Sequence, residues 1–206
     1  MKIIKPSVEI ISPINGQDIL AHIERCGRVC YKSEGKITEG SAERFVRNII
    51  KSGHESVLEH SSFTVLFTVD RGVSHEIVRH RIASYSQEST RYCNYSRDDF
   101  GGEITVIQPC YLLEGDSAAW SWWYSSCVSS EANYFGLLNA GCTAQEARAV
   151  LPHSIKTEVV MTANLREWRH FLKLRTGTGA HPQMREVALM LLEQVRELIP
   201  VVFDDI

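Results

Sequence analysis

The residues best suited to chemistry crowd into one stretch, Arg79-His80-Arg81-Ile82-Ala83-Ser84-Tyr85-Ser86-Gln87-Glu88-Ser89-Thr90-Arg91-Tyr92. Its fourteen positions hold three arginines, a histidine, three serines, a threonine and two tyrosines. Only Ile82 and Ala83 are plainly apolar, lysine is absent, and Glu88 is the one acid. Guanidinium forks pair with phosphate and carboxylate, while hydroxyls and amides fix orientation by hydrogen bonding. The stretch therefore predicts an anion-binding floor for a substrate or cofactor.

Charge elsewhere follows the same pattern. The chain carries 22 Lys and Arg against 25 Asp and Glu, a net charge of −3. That balance argues against a general nucleic-acid or membrane-surface binder. Positive charge is local instead: five arginines against two acids from Arg71 to Arg97, and five basic residues against one acid from Asn164 to Arg185. Two basic islands in an acidic chain point to small anionic ligands. Ordinary surface salt bridges are the alternative for any one arginine. Too few acids lie nearby in sequence to pair Arg79, Arg81, Arg91, Arg148, Arg166 and Arg175 together.

Other chemistries find weaker support. His75 and His80 resemble a zinc-binding helix pair but are five residues apart, about 140° round a helix instead of about 40°. His54 and His60 are six apart, also poorly placed for one helix face. Cys93 lies beside arginines that could lower its pKa and make it a nucleophile; a bystander thiol is the alternative. The six cysteines are scattered without a Cys-x-x-Cys pair, as expected of reduced thiols. No Gly-x-Gly-x-x-Gly or phosphate-loop pattern occurs, and Gly177-Thr178-Gly179 reads only as a flexible loop.

The elements that must position these groups are legible in the apolar spacing. A chain of 206 residues, 44% hydrophobic and 23% charged, reads as a globular protein needing no disulfide or metal staple. Strands are predicted over Val8 to Ile11, Phe63 to Val69, Ile104 to Ile107 and Ile155 to Thr162. Helices are predicted from Gln17 to Tyr31, from a Ser41 cap to Gly53, from Val73 to about His80, and from Ala118 to Leu138. Thr143-x-x-Glu146 and Asn164-x-x-Glu167 read as capping boxes. Met184, Val187, Ala188, Leu191, Leu192, Val195 and Leu198 form the clearest amphipathic stripe. Trp120, Trp122 and Trp123 mark the Ala118 helix as core or subunit interface. Interleaved helices and strands, with no repeat or linker, predict a single α+β domain over 1–206. The N-terminus is broken by Pro6 and Glu9, so no signal peptide is expected; no apolar run approaches the ~20 residues of a membrane span. A cytoplasmic location is expected, bacterial or phage-encoded in a host cytoplasm.

Five ordered motifs resemble the flavin-dependent thymidylate synthases. They are Gly53-His54-Glu55-Ser56…Glu59-His60; Arg79-His80-Arg81 with Ser84 and Ser89-Thr90-Arg91-Tyr92; Ala147-Arg148…Leu151-Pro152; Thr162-Ala163-Asn164-x-Arg166; and Phe171-Leu172-x-Leu174-Arg175. The similarity spans about Gly53 to Arg185. It implies a central, mainly antiparallel sheet flanked by helices, assembling as a homotetramer with shared active sites. It implies conversion of dUMP to dTMP, with methylene-tetrahydrofolate as carbon donor, FAD as hydride carrier, NADPH as reductant and no cysteine nucleophile. The alternative is a catalytically inactive nucleotide-binding protein of the same fold.

The resemblance also distributes roles. Glu76, Arg79, Gln87, Glu88, Ser89, Thr90, Arg91, Arg148 and Arg175 would hold dUMP, with Arg175 against the uracil ring. Ser56, Arg79, His80, Arg81, Asn164, Arg166 and His170 would contact FAD. Arg175 and His54 would serve catalysis, and no metal is implied. The chain departs from the common pattern at Ser86-Gln87, at His170 and at Ala180-His181-Pro182-Gln183-Met184.

Overall fold

A computed structural model describes residues 1–97, 101–114 and 117–206. The chain is α+β, and its contacts group it into two units. Unit one comprises Met1–Ser7, Phe67–Arg79 and Ser86–Val159; unit two comprises Val8–Leu66, His80–Tyr85 and Val160–Ile206. A four-stranded antiparallel sheet has the order β2 (Ser7–Ile10), β3 (Ser62–Asp70), β6 (Lys156–Asn164), β4 (Ala83–Gln87). β3 and β6 alternate as half-buried strands must, burying Phe63, Val65, Phe67 and Val69 on one strand, and Thr157, Val159, Met161 and Ala163 on the other. Two short strands, β1 (Lys2–Ile4) and β5 (Thr105–Ile107), pair in parallel with Ile3 opposite Val106.

Unit one also holds α3 (Arg71–Ile77), α4 (Ala118–Asn139) and α5 (Ala144–Ala147). Its core joins Tyr95, Ile104, Val106, Cys127, Tyr134 and Ile155. Thr143 and Glu146 form the predicted capping box at α5. Only Cys127 and Tyr134 of α4 are buried, whereas Trp122 is 77% exposed.

Unit two holds α1 (Gly16–Val29), α2 (Ser41–Lys51), α6 (Leu165–Arg175), α7 (Pro182–Leu198) and α8 (Pro200–Phe203). Trp168 of α6 stacks on Phe63 at 4.8 Å, and its indole N–H donates to the Phe63 carbonyl at 3.1 Å. A Cβ on Gly27 would come within 2.6 Å of the Phe45 ring, so glycine sets how closely α1 and α2 approach. The α7 stripe is buried as its spacing predicts, except Leu198, which is 41% exposed.

Three local expectations change. Ser41 is the first residue of α2 and not its cap; its hydroxyl donates to the buried Glu24 carboxylate at 2.6 Å instead. The Val73 helix begins earlier, at Arg71, because the Asp70 carboxylate accepts from the Val73 N–H at 2.8 Å. The polar Ala83–Gln87 segment, with no apolar alternation to reveal it, is an edge strand. Among the described residues, no helix is long and apolar enough to cross a membrane.

Candidate active site

The residues assigned to the nucleotide, apart from Arg175, all fall in unit one. Glu76 lies on α3, and Arg79 follows one turn later, its N–H donating to the Glu76 carbonyl at 3.3 Å. Gln87, at the end of β4, is oriented from below: its amide donates to Ser74 Oγ at 2.9 Å and Thr157 Oγ1 at 3.3 Å. Glu88 continues the edge by donating its N–H to the Glu158 carbonyl at 2.9 Å. Its carboxylate is taken by Lys156 Nζ at 2.9 Å and the Tyr95 hydroxyl at 3.3 Å.

Past the strand, the chain turns tightly. The Arg91 N–H donates to Ser89 Oγ, and the Tyr92 and Cys93 N–H groups donate to the Ser89 carbonyl. This turn exposes Arg91, while Thr90 is buried and accepts from Arg148 Nη1 at 3.4 Å. Two arginines from separate motifs thus converge on one hydroxyl-lined turn. Nearby, burial first and the Glu88 charge second push the Cys93 thiol above its ordinary pKa. The neighbouring arginines do not make it a thiolate.

The residues assigned to the flavin, apart from Arg79, fall in unit two. α2 ends in a Schellman motif: the Gly53 N–H bonds the Ile50 carbonyl and the His54 N–H the Ile49 carbonyl, each at 3.0 Å, with Gly53 at φ +70°. That ending projects His54 and leads into a 3₁₀ turn, Glu55–His60, which carries Ser56. Asn164 caps α6 by accepting the Glu167 N–H at 2.9 Å. Glu167 does not close the box; its carboxylate lies 3.1 Å from His80 Nδ1. His80 Nε2 accepts from Arg175 Nε at 3.1 Å, so one buried ring joins two sequence motifs. Arg81 stays exposed, as does His170, whose ring centroid lies 5.5 Å from that of His80.

A model of the thymidylate synthase complementing proteins matches residues 14–201. The chain belongs to the flavin-dependent thymidylate synthase family. Relatives bearing that name include those of Geobacter sulfurreducens, 34% identical over 90% of this chain and 81% of that one, and Pyrococcus horikoshii, 38% identical over 81% and 69%. That of Mycobacterium tuberculosis strain H37Ra is 35% identical over 90% of this chain and 78% of its own. The fold matches that of a UMP/dUMP methylase, PolB of Streptomyces cacaoi, solved with 5-Br dUMP (TM-score 0.80, 24% identity, 99% of this chain and 96% of that one). A second structure of that methylase, with 5-Br UMP, matches with a TM-score of 0.78 at 22% identity, covering 99% and 95%.

The family's cofactor can be tested against the donor set. A cavity of about 520 Å³ in unit two is lined by Asn164, Arg166, His170, Lys173, Glu59 and Ile82, among others. That size is within the range of ligand sites. Arg166 pairs with Glu59 at 2.6 Å, but both side chains are about half exposed, at 53% and 45%. Such a screened pair is worth at most about 1 kcal/mol, so a cofactor diphosphate can replace the carboxylate. Arg169 is different: it is buried and clamped by Glu55 at 3.1 Å, Asp205 at 2.6 Å and the Val202 carbonyl. The first arginine is available to an anionic ligand, and the second fastens the His54 segment to the C-terminal turn.

Ser74, Thr157, Lys156 and Glu167 support the site without a sequence signal of that role. The first three carry no motif. Glu167 was legible only as a cap partner.

Proposed function

We propose that the chain methylates dUMP to dTMP, with residues 1–206 acting as one flavin-dependent thymidylate synthase domain. The observation that carries the reading is the Ser89–Arg91 turn with Arg148 bonded to Thr90. Arg148 bonded to Thr90 and the exposed Arg91 bring two guanidinium side chains to one hydroxyl-lined turn, a donor set suited to a nucleotide monophosphate. The bromo-nucleotides bound by the S. cacaoi methylase support a pyrimidine nucleotide ligand. Glu76 on α3, Arg79 just after it, Gln87 at the end of β4 and Glu88 beyond it would contact the nucleotide as well.

FAD, reduced by NADPH, supplies the hydride, and methylene-tetrahydrofolate the one-carbon unit. Asn164, Arg166, His170, His80, Arg81, Ser56 and Arg79 would hold the flavin, Arg166 on its diphosphate. Arg175 would rest against the uracil and stabilise negative charge as C5 becomes nucleophilic, electrostatic catalysis by a permanent cation. His54 lies near the flavin or folate. The raised pKa of Cys93 accords with chemistry that uses no thiolate. The exposed apolar side chains of α4, Trp122 above all, accord with a homotetramer whose active sites combine residues of several subunits.

The test is a coupled assay with dUMP, methylene-tetrahydrofolate, NADPH and FAD, following dTMP and flavin absorbance. We expect yellow protein and dTMP. Protein that binds dUMP yet oxidises no NADPH and releases no dTMP would be an inactive nucleotide-binding protein of the same fold. Arg175→Ala is expected to lower dTMP formation at least about 10²-fold with the fold intact; turnover near wild type would remove Arg175 from catalysis.

A further inference from the structure

We infer that Glu167 is a positioning residue for Arg175, acting through the ring of His80. The inference rests on the reading of Arg175 as the uracil-facing cation. Its structural basis is a chain of two hydrogen bonds whose direction is fixed by chemistry. A guanidinium can only donate. Arg175 Nε lies 3.1 Å from His80 Nε2, so that nitrogen must carry the lone pair. The ring proton then sits on Nδ1, 3.1 Å from Glu167 Oε1, where a carboxylate can only accept. The other tautomer would set N–H against N–H at Arg175 and a lone pair against the carboxylate. A doubly protonated ring would satisfy Glu167 but face Arg175 with a second donor.

The surroundings hold this arrangement. His80 is 4% exposed and Glu167 7%. The Phe171 ring packs 4.8 Å from the imidazole, and the Tyr85 hydroxyl donates to the His80 carbonyl at 2.6 Å. Burial, with help from the Arg175 and His170 charges and against Glu167, keeps the imidazole pKa below its ordinary value. Glu167 and Arg175 stand eight residues apart on α6, about 12 Å along its axis. They cannot pair directly, and the ring spans the gap. The same geometry bears on the donor cluster of His80, Glu167 and His170, whose ligand atoms lie within 4.8 Å. A metal taking either ring nitrogen there would displace the partner that nitrogen now has, Glu167 at Nδ1 or Arg175 at Nε2.

The experiment uses full-length protein carrying ¹⁵N-histidine. Two-bond ¹H–¹⁵N spectra report the tautomer of His80, whose signal is identified by its loss in His80→Gln. We expect Nδ1–H in the wild type and in Glu167→Gln, whose amide oxygen still accepts that proton. Glu167→Leu should lose the Nδ1–H signature, with kcat for dTMP down about 10²-fold, the cost of a misplaced catalytic group. Glu167→Gln should recover most of that loss. An Nε2–H tautomer in the wild type, or an unchanged kcat in Glu167→Leu, overturns the inference. If Glu167→Leu does not fold, the wild-type tautomer and the Glu167→Gln rate decide. A wild type that makes no dTMP overturns the functional reading instead, while the tautomer still decides the array.

Discussion

At the scale of single residues, His80 makes acid a specific perturbant. Its imidazole is buried and neutral, faced by Glu167, Arg175 and His170 from α6. In the unfolded chain a histidine takes up its proton near pH ~6.5, but the folded His80 does so only at lower pH. Between those values the unfolded state binds more protons, so stability rises with pH. The contribution is complete above about pH 6.5 and is lost as pH falls through the folded-state value. Urea midpoints measured from pH 8 downward should fall more steeply below about pH 6.5 for the wild type than for His80→Gln. Parallel curves would mean that His80 titrates as in the unfolded chain. Residue chemistry was the most legible level of the sequence. Arginine density alone pointed to an anion floor, and Arg148 and Thr90 do meet. The pairing of Glu167 with His80 was not legible, because a capping box and a buried acceptor leave the same sequence trace.

At the scale of elements, the ending of α2 matters most for the site. Gly53 holds φ +70°, a region where a Cβ costs about 1–2 kcal/mol, yet a side chain there would meet nothing within 4 Å. Gly53→Ala should therefore lower stability by about 1 kcal/mol through backbone strain alone. Because the same turn projects His54 and Ser56, flavin affinity should weaken with it. A calorimetric Tm and a flavin titration would check both; an unchanged Tm would show that the turn relaxes freely. Elements with one apolar face, α2 and α7, were readable from spacing because burial imposes a period. β4 was not, since the face it half-buries carries Ala83, Tyr85 and Gln87, too little apolar contrast with Ser84 and Ser86 to leave a hydrophobic period. β1 and α8 were too short to show one.

At the scale of the whole molecule, α4 presents a surface that asks for cover. Trp122 is 77% exposed, with Tyr124 and Val128 also exposed on the helix. Trp120 stacks on Tyr124 at 4.9 Å, and Trp123 turns inward, donating to Ser154 Oγ at 2.9 Å. Aromatic residues at this exposure favour a subunit interface over solvent. Trp122→Glu should reduce the assembly's mass in light scattering while leaving the far-UV circular dichroism of the subunit unchanged. A mass equal to wild type would place the interface elsewhere.

The His80 array also has a history within the life of the chain. His80 lies 87 residues before its acceptor and 95 before its donor. At about 5–20 residues per second, translation delivers Glu167 roughly 4–17 s after His80. For that interval the nascent chain carries the Arg79–Tyr92 stretch with its histidine unclaimed by either α6 partner. Unit two closes only once residues 160–206 have been made. A chain stopped before α6 should therefore lack both partners of His80, and with them the tautomer they impose.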